Sequence, residues 1–164
     1  MRVGYVGIGN MGGPMAANLA RAGNEVVIGD LNQLAVDAFT TEHETARPAN
    51  GLAAVGQEAE AVFTCLPNGK IVAEAVLGEG GIAEGMAEGS VLVDMSSSAP
   101  MGTIDLGKTL SERGIRMVDA PVSGGVPRAV EGTIAIMVGG AKEDPSMPAV
   151  LPEFLERFLE VFHG

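Results

Sequence analysis

Hydrophobic positions along this chain follow two alternating patterns. Short runs that are apolar nearly throughout occupy residues 2–6, 25–28, 61–66, 90–95, 115–119 and 133–138. A bounded apolar run of this length predicts a strand buried on both faces. Between them lie longer runs whose apolar residues recur every three or four positions, which predict helices over residues 11–22, 31–39, 71–77, 101–113 and 148–162. In the first helix Met15, Leu19 and Ala22 share a face. Pro14 sits in its first turn, where a missing N–H costs nothing, and Gly23 stops it. The last helix gathers Leu151, Leu155, Phe158, Leu159 and Phe162 on one side. Ser98 or the Pro100 turn marks the start of the helix over 101–113. Residues 47–57 carry a weaker signal for a third strand and a short helix. Strands and helices in alternation, with fully apolar strands, predict an α/β fold: a doubly wound, mainly parallel sheet with helices on both faces. No repeat, low-complexity tract or linker interrupts the pattern, so residues 1–164 read as one domain.

Composition sharpens this. The chain holds 24 glycines and 9 prolines, about a fifth of its 164 residues, too many for a helical bundle, since each interior glycine costs a helix roughly 1 kcal/mol. The 46% apolar content excludes disorder despite a net charge of −11. The excess of carboxylates (21 against 10 basic residues) and the lack of any basic run weigh against nucleic acid and anionic membrane as partners. An anionic ligand would therefore need local donors, such as the N–H groups at a helix N-terminus. Cys65 is the only cysteine, which excludes an intrachain disulfide and a cysteine-based zinc site and fits a reducing, cytoplasmic setting. No apolar stretch approaches the length of a membrane span, and residues 1–13 do not read as a signal peptide.

The chemistry gathers where strands end. Gly7-Ile8-Gly9-Asn10-Met11-Gly12 is G-x-G-x-x-G, placed after the first strand and opening the first helix, the context in which this pattern binds a dinucleotide. Gly7 permits the tight turn, Gly9 lets a pyrophosphate approach the backbone, and Gly12 allows close helix–strand packing. Asp30 ends the second strand, where a carboxylate can accept hydrogen bonds from the adenosine ribose and would repel a 2′-phosphate. No arginine follows it in Leu31-Asn32-Gln33. This favours NAD over NADP. The alternative is that Asp30 caps the following helix. Two further strand ends are rich in hydroxyls and turn glycines: Ser96-Ser97-Ser98, and Ala120-Pro121-Val122-Ser123-Gly124-Gly125. The Ser-Gly-Gly turn reads either as a carboxylate nest or as an ordinary turn.

The residues from Tyr5 to Leu19, YVGIGNMGGPMAANL, resemble the signature of the β-hydroxyacid dehydrogenases, the family of 3-hydroxyisobutyrate dehydrogenase and tartronate semialdehyde reductase. Cys65-Leu66-Pro67, Asp94-Met95-Ser96-Ser97-Ser98-Ala99-Pro100 and Asp119-Ala120-Pro121-Val122-Ser123-Gly124-Gly125 match three more of its motifs in order, so the resemblance spans essentially the whole chain. It implies a Rossmann-type domain that binds NAD through residues 7–12 and Asp30. Leu66 and Pro67 would line the cofactor, and Ser97, where threonine is usual, would meet the nicotinamide ribose. Ser123, Gly124 and Gly125 would hold the carboxylate of a small hydroxyacid. The resemblance also implies an all-helical second domain carrying a catalytic lysine in a G-x-G-x-x-x-K-x-x-x-N segment, and a homo-oligomer for the full-length protein. None of Lys70, Lys108 and Lys142 lies in such a segment, so the catalytic residues are expected outside this chain, and no metal is implied. A face around Phe158 and Phe162 is then expected to associate with itself or another chain.

Other residues carry plainer readings. Cys65 reads as a small buried hydrophobe, His43 as part of a solvated loop, and residues 74–88 as a solvated acidic face; His163 has no evident partner. The methionines read as core filler. Asp94 and Asp119 are expected to orient or support rather than react. Two competing functions are a non-catalytic dinucleotide sensor and an imine reductase-like cofactor domain; the retained Ser123-Gly124-Gly125 turn favours the dehydrogenase.

Overall fold

The structure, a computed structural model, describes residues 1–139. The helix expected over 148–162, with Phe158 and Phe162, and Lys142 and His163 lie outside the described residues.

Six parallel strands form the main sheet: β1 (Arg2–Val6), β2 (Glu25–Gly29), β3 (Ala46–Pro48), β4 (Ala61–Thr64), β5 (Val91–Asp94) and β6 (Arg116–Asp119). Their order is β3-β2-β1-β4-β5-β6. The chain winds outward from β1 to β3, then crosses back and winds the other way from β4. The sheet reverses direction between β1 and β4, and such a switch point opens a crevice beyond the strands' carboxyl ends. The connecting helices are α1 (Gly12–Arg21), α2 (Gln33–Glu42), α3 (Leu52–Glu58), α4 (Gly69–Leu77), α5 (Ile82–Gly85) and α6 (Pro100–Ser111).

Alternation within each strand divides the core in two. Val3, Tyr5, Phe63, Val91 and Val93 pack with Met15 and Leu19 of α1 and Val36 and Phe39 of α2. Val6, Val62 and Leu92 point the other way, onto Val55 of α3, Val72 and Val76 of α4, and Leu106 and Leu110 of α6. Both faces of the sheet are therefore covered, as the fully apolar strands require.

Three local readings change, and one open alternative is decided. The strand expected over 133–138 shortens to β8 (Ala135–Ile136) and leaves the main sheet. It pairs antiparallel with β7 (Val122–Ser123), because α7 (Gly125–Glu131) between them ends at left-handed Gly132 and turns the chain back. Residues 74–88 are not a uniformly solvated face: Glu74, Glu79, Glu84 and Glu88 are exposed, but Ile82, Ala83 and Met86 are buried. Of the two starts offered for α6, the Pro100 turn is the one adopted: the helix begins at Pro100, with Ala99 at the N-cap. His43 closes α2 instead of lying in open loop, its ring 4.5 Å from that of Phe39.

Candidate functional site

The carboxyl ends of β1, β2, β4 and β5 converge on the switch point. Gly7 leaves β1 at φ 95°, a conformation that favours glycine, and its N–H donates to the Gly29 carbonyl at 3.0 Å. A Cβ on Gly7 would strike the Cys65 carbonyl, and one on Gly12 would strike the Gly7 carbonyl. The turn is thus pressed between β1, β4 and the start of α1. Gly9 differs: a Cβ there would meet nothing within 4 Å. Ile8 is buried, Met11 half-buried, and Gly9 and Asn10 are exposed. Met11 holds the N-cap of α1, and no side chain caps that helix. An uncapped helix N-terminus carries a partial positive charge and unpaired N–H donors, so the crevice can accept an anion despite the acidic chain.

Asp30 stands beside this turn. One carboxylate oxygen accepts from the Ile8 N–H and the other from the Asn32 N–H, both at 2.8 Å. It does not cap α2; Asn32 does, accepting from the Ala35 N–H at 3.3 Å. Asp30 instead braces the glycine turn against the end of β2, and it stays half-exposed at the crevice.

Across the switch point lies a network that sequence reasoning did not resolve. Asp94 is buried at the end of β5. One of its oxygens accepts from the Thr64 hydroxyl at 2.9 Å and the Ser96 N–H at 3.0 Å. The other accepts from the Ser98 hydroxyl at 2.9 Å. The Ser96 hydroxyl in turn accepts from the Leu66 N–H at 2.9 Å. The loops after β4 and β5 are therefore locked together, with Leu66 half-buried and Pro67 and Ser97 exposed. The signal was the spacing Asp94, Ser96, Ser98 at a strand end, which lets one carboxylate collect its own following turn.

Ser123, Gly124 and Gly125 are exposed just beyond β6, with φ of 142° and 73° at the two glycines. Asp119, at the end of β6, has its pKa raised above the usual carboxylate value by burial and then by the Asp94 charge. Burial, and then the same charge, push the Cys65 thiol up to about 11, so it is protonated near neutrality and a poor nucleophile. Lys70 and Lys108 are exposed, Lys108 lying 4.0 Å from Asp105. Among the described residues there is no cluster of three or more His, Cys, Asp or Glu able to hold a metal. No described helix is long and apolar enough to cross a membrane.

Comparison with known proteins agrees with this architecture. The sequence profile of the NAD binding domain of 6-phosphogluconate dehydrogenase matches residues 2–155. The chain is 40% identical to 2-(hydroxymethyl)glutarate dehydrogenase of Eubacterium barkeri over 142 residues, covering 87% of this chain and 46% of that protein. Its fold superposes on the Mycobacterium tuberculosis 3-hydroxyisobutyrate dehydrogenase solved with L-serine, with a TM-score of 0.83 and 27% identity, covering 98% of this chain and 51% of that one. It also matches Psf3, solved with NADP+ and 2-OPP, at a TM-score of 0.83 and 25% identity over 98% of this chain and 54% of that one. Fold and profile together define an NAD(P)-binding Rossmann-type domain. The chain belongs to the β-hydroxyacid dehydrogenase family, of whose oxidoreductases it carries the NAD-binding domain. It spans about half the length of the curated relatives it matches.

Proposed function

We propose that this chain is the cofactor domain, over residues 1–164, of an enzyme that moves a hydride between NAD and a short β-hydroxyacid or its semialdehyde. Gly9 carries the reading. It faces open space at the switch point, between two glycines that are each held by close backbone contacts, which is what a pyrophosphate lying against the backbone needs.

In this reading the backbone of Gly7, Ile8, Gly9, Asn10, Met11 and Gly12 holds the pyrophosphate and the N-terminus of α1 offsets its charge. The half-exposed Asp30 takes the adenosine ribose hydroxyls while bracing the turn, and its charge disfavours a 2′-phosphate. Leu66 and Pro67 line the nicotinamide end, with Ser97 at the ribose beside it. Ser123, Gly124 and Gly125 receive the substrate carboxylate. When bound, NAD supplies the hydride acceptor. Removing the hydroxyl proton needs a general base. The family resemblance puts that base on a lysine in a G-x-G-x-x-x-K segment, which none of Lys70, Lys108 and Lys142 occupies, so we assign it to a part of the protein outside this chain. The chain alone is then expected to bind dinucleotide and to turn over little.

The test is titration of the 164-residue chain with NADH and with NADPH, followed by the fluorescence of the reduced nicotinamide. Saturable NADH binding, tighter than NADPH, is expected. Tighter NADPH binding would overturn the role given to Asp30, and binding of neither would overturn the whole reading.

A further inference from the structure

We infer that Asp94 is a positioning residue for the nicotinamide half of the cofactor site, acting through Ser96 and Ser98 without touching the cofactor. The inference rests on the dinucleotide reading above and adds a residue to it. Four hydrogen bonds carry the argument. Asp94 accepts from Thr64 on β4, from the Ser96 N–H and from the Ser98 hydroxyl, and Ser96 accepts from the Leu66 N–H. Thr64 stands beside Asp94 in the parallel register, so the carboxylate ties strand to strand before it ties loop to loop.

The consequence is geometric. Leu66-Pro67 and Ser97 are presented by two loops that share no strand. Their mutual position is set by the path Leu66–Ser96–Asp94. Ser97 is held on both sides, by the Ser96 N–H and the Ser98 hydroxyl, which end on different oxygens of one carboxylate. Gly69, at the start of α4, fits against Ser98 so closely that a Cβ there would lie 3.1 Å from the serine Cβ and Oγ, so the loop after β4 also follows Ser98. The glycine turn and Asp30 share no hydrogen bond with this network. Loss of Asp94 should therefore loosen one half of the site and leave the other intact.

That asymmetry is the test. Fluorescence titration gives the affinity of the chain for NADH, and calorimetry its affinity for ADP, which carries the adenosine and the pyrophosphate without the nicotinamide or the ribose that bears it. Asp94→Ala and Ser96→Ala are expected to weaken NADH about tenfold, the scale of one to two lost hydrogen bonds, while ADP affinity stays within about twofold. Asp94→Asn keeps one acceptor oxygen for Thr64 and Ser96, and should recover part of the NADH affinity. Ser96→Ala keeps the measurement interpretable if Asp94→Ala folds poorly. Equal weakening of both ligands, or of neither, would overturn the inference. Failure of the unaltered chain to bind NADH would instead overturn the dinucleotide reading.

Discussion

Gly9 and Gly12 sit three residues apart in one turn, yet they answer to different physics. Gly12 is buried, and its absent Cβ is what lets α1 begin against the Gly7 carbonyl. Gly12→Ala forces backbone to move, and overpacking of this kind is expected to cost about 3 kcal/mol in a urea melt. Gly9 has open space and does not adopt a positive φ, so Gly9→Ala should change stability by less than about 0.5 kcal/mol. It should nonetheless weaken NADH at least tenfold, because a methyl group then occupies the face where phosphate approaches. Equal losses of stability in the two variants would contradict this division. The spacing of the turn is local, so its glycines were readable in order along the chain. Asp94 was readable only as a support: its role depends on Thr64, thirty residues earlier and brought alongside by the sheet register. Asp30 had two readings in sequence, and only the position of Asn32 at the cap of α2 removed one of them.

At the scale of elements, the strands of the main sheet and the longer helices among the described residues follow from periodicity, and the misread parts are short. α5 has four residues and α7 seven, too few for a 3.6-residue period to register. α5 exists because Gly56 and Gly85 let it cross α3 backbone to backbone, a contact that leaves no pattern in either segment alone. α7 is held from a distance. Buried Asn18 on α1 donates its amide to the Ala129 carbonyl at 2.8 Å, and its own carbonyl accepts from the Arg21 guanidinium at 2.6 Å. This anchor bears on the Ser123-Gly124-Gly125 turn, because that turn leads directly into α7. Asn18→Ala removes both bonds from a buried position and should cost about 1–2 kcal/mol. The loss should be local first. Hydrogen exchange is expected to quicken in residues 125–136 while the amides of β1 and β4 keep their protection. Uniform acceleration across the sheet would show that α7 has no separate stability.

For the whole molecule, the alternation of strand and helix already implied a doubly wound sheet, but not which side chains would meet across it. That register places Asp94 beside Asp119 at the carboxyl edge, in a chain of net charge −11. The Asp119 carboxylate accepts no hydrogen bond among the described residues, and burial followed by the Asp94 charge raises its pKa above the ordinary 3.8. A carboxyl group whose pKa is raised by folding stabilises the fold in its neutral form. That contribution is complete below pH 3.8 and is lost as pH rises through the folded-state value. At pH 7 the ionised group therefore works against the fold. Asp119→Asn should raise the thermal midpoint at pH 7, and the gain should shrink steadily as the pH is brought down toward 4. Added salt should leave most of the gain in place, because the two groups are adjacent and partly screened from solvent already. A gain that stays constant from pH 4 to pH 7 would place its origin in packing rather than in the charge of the pair.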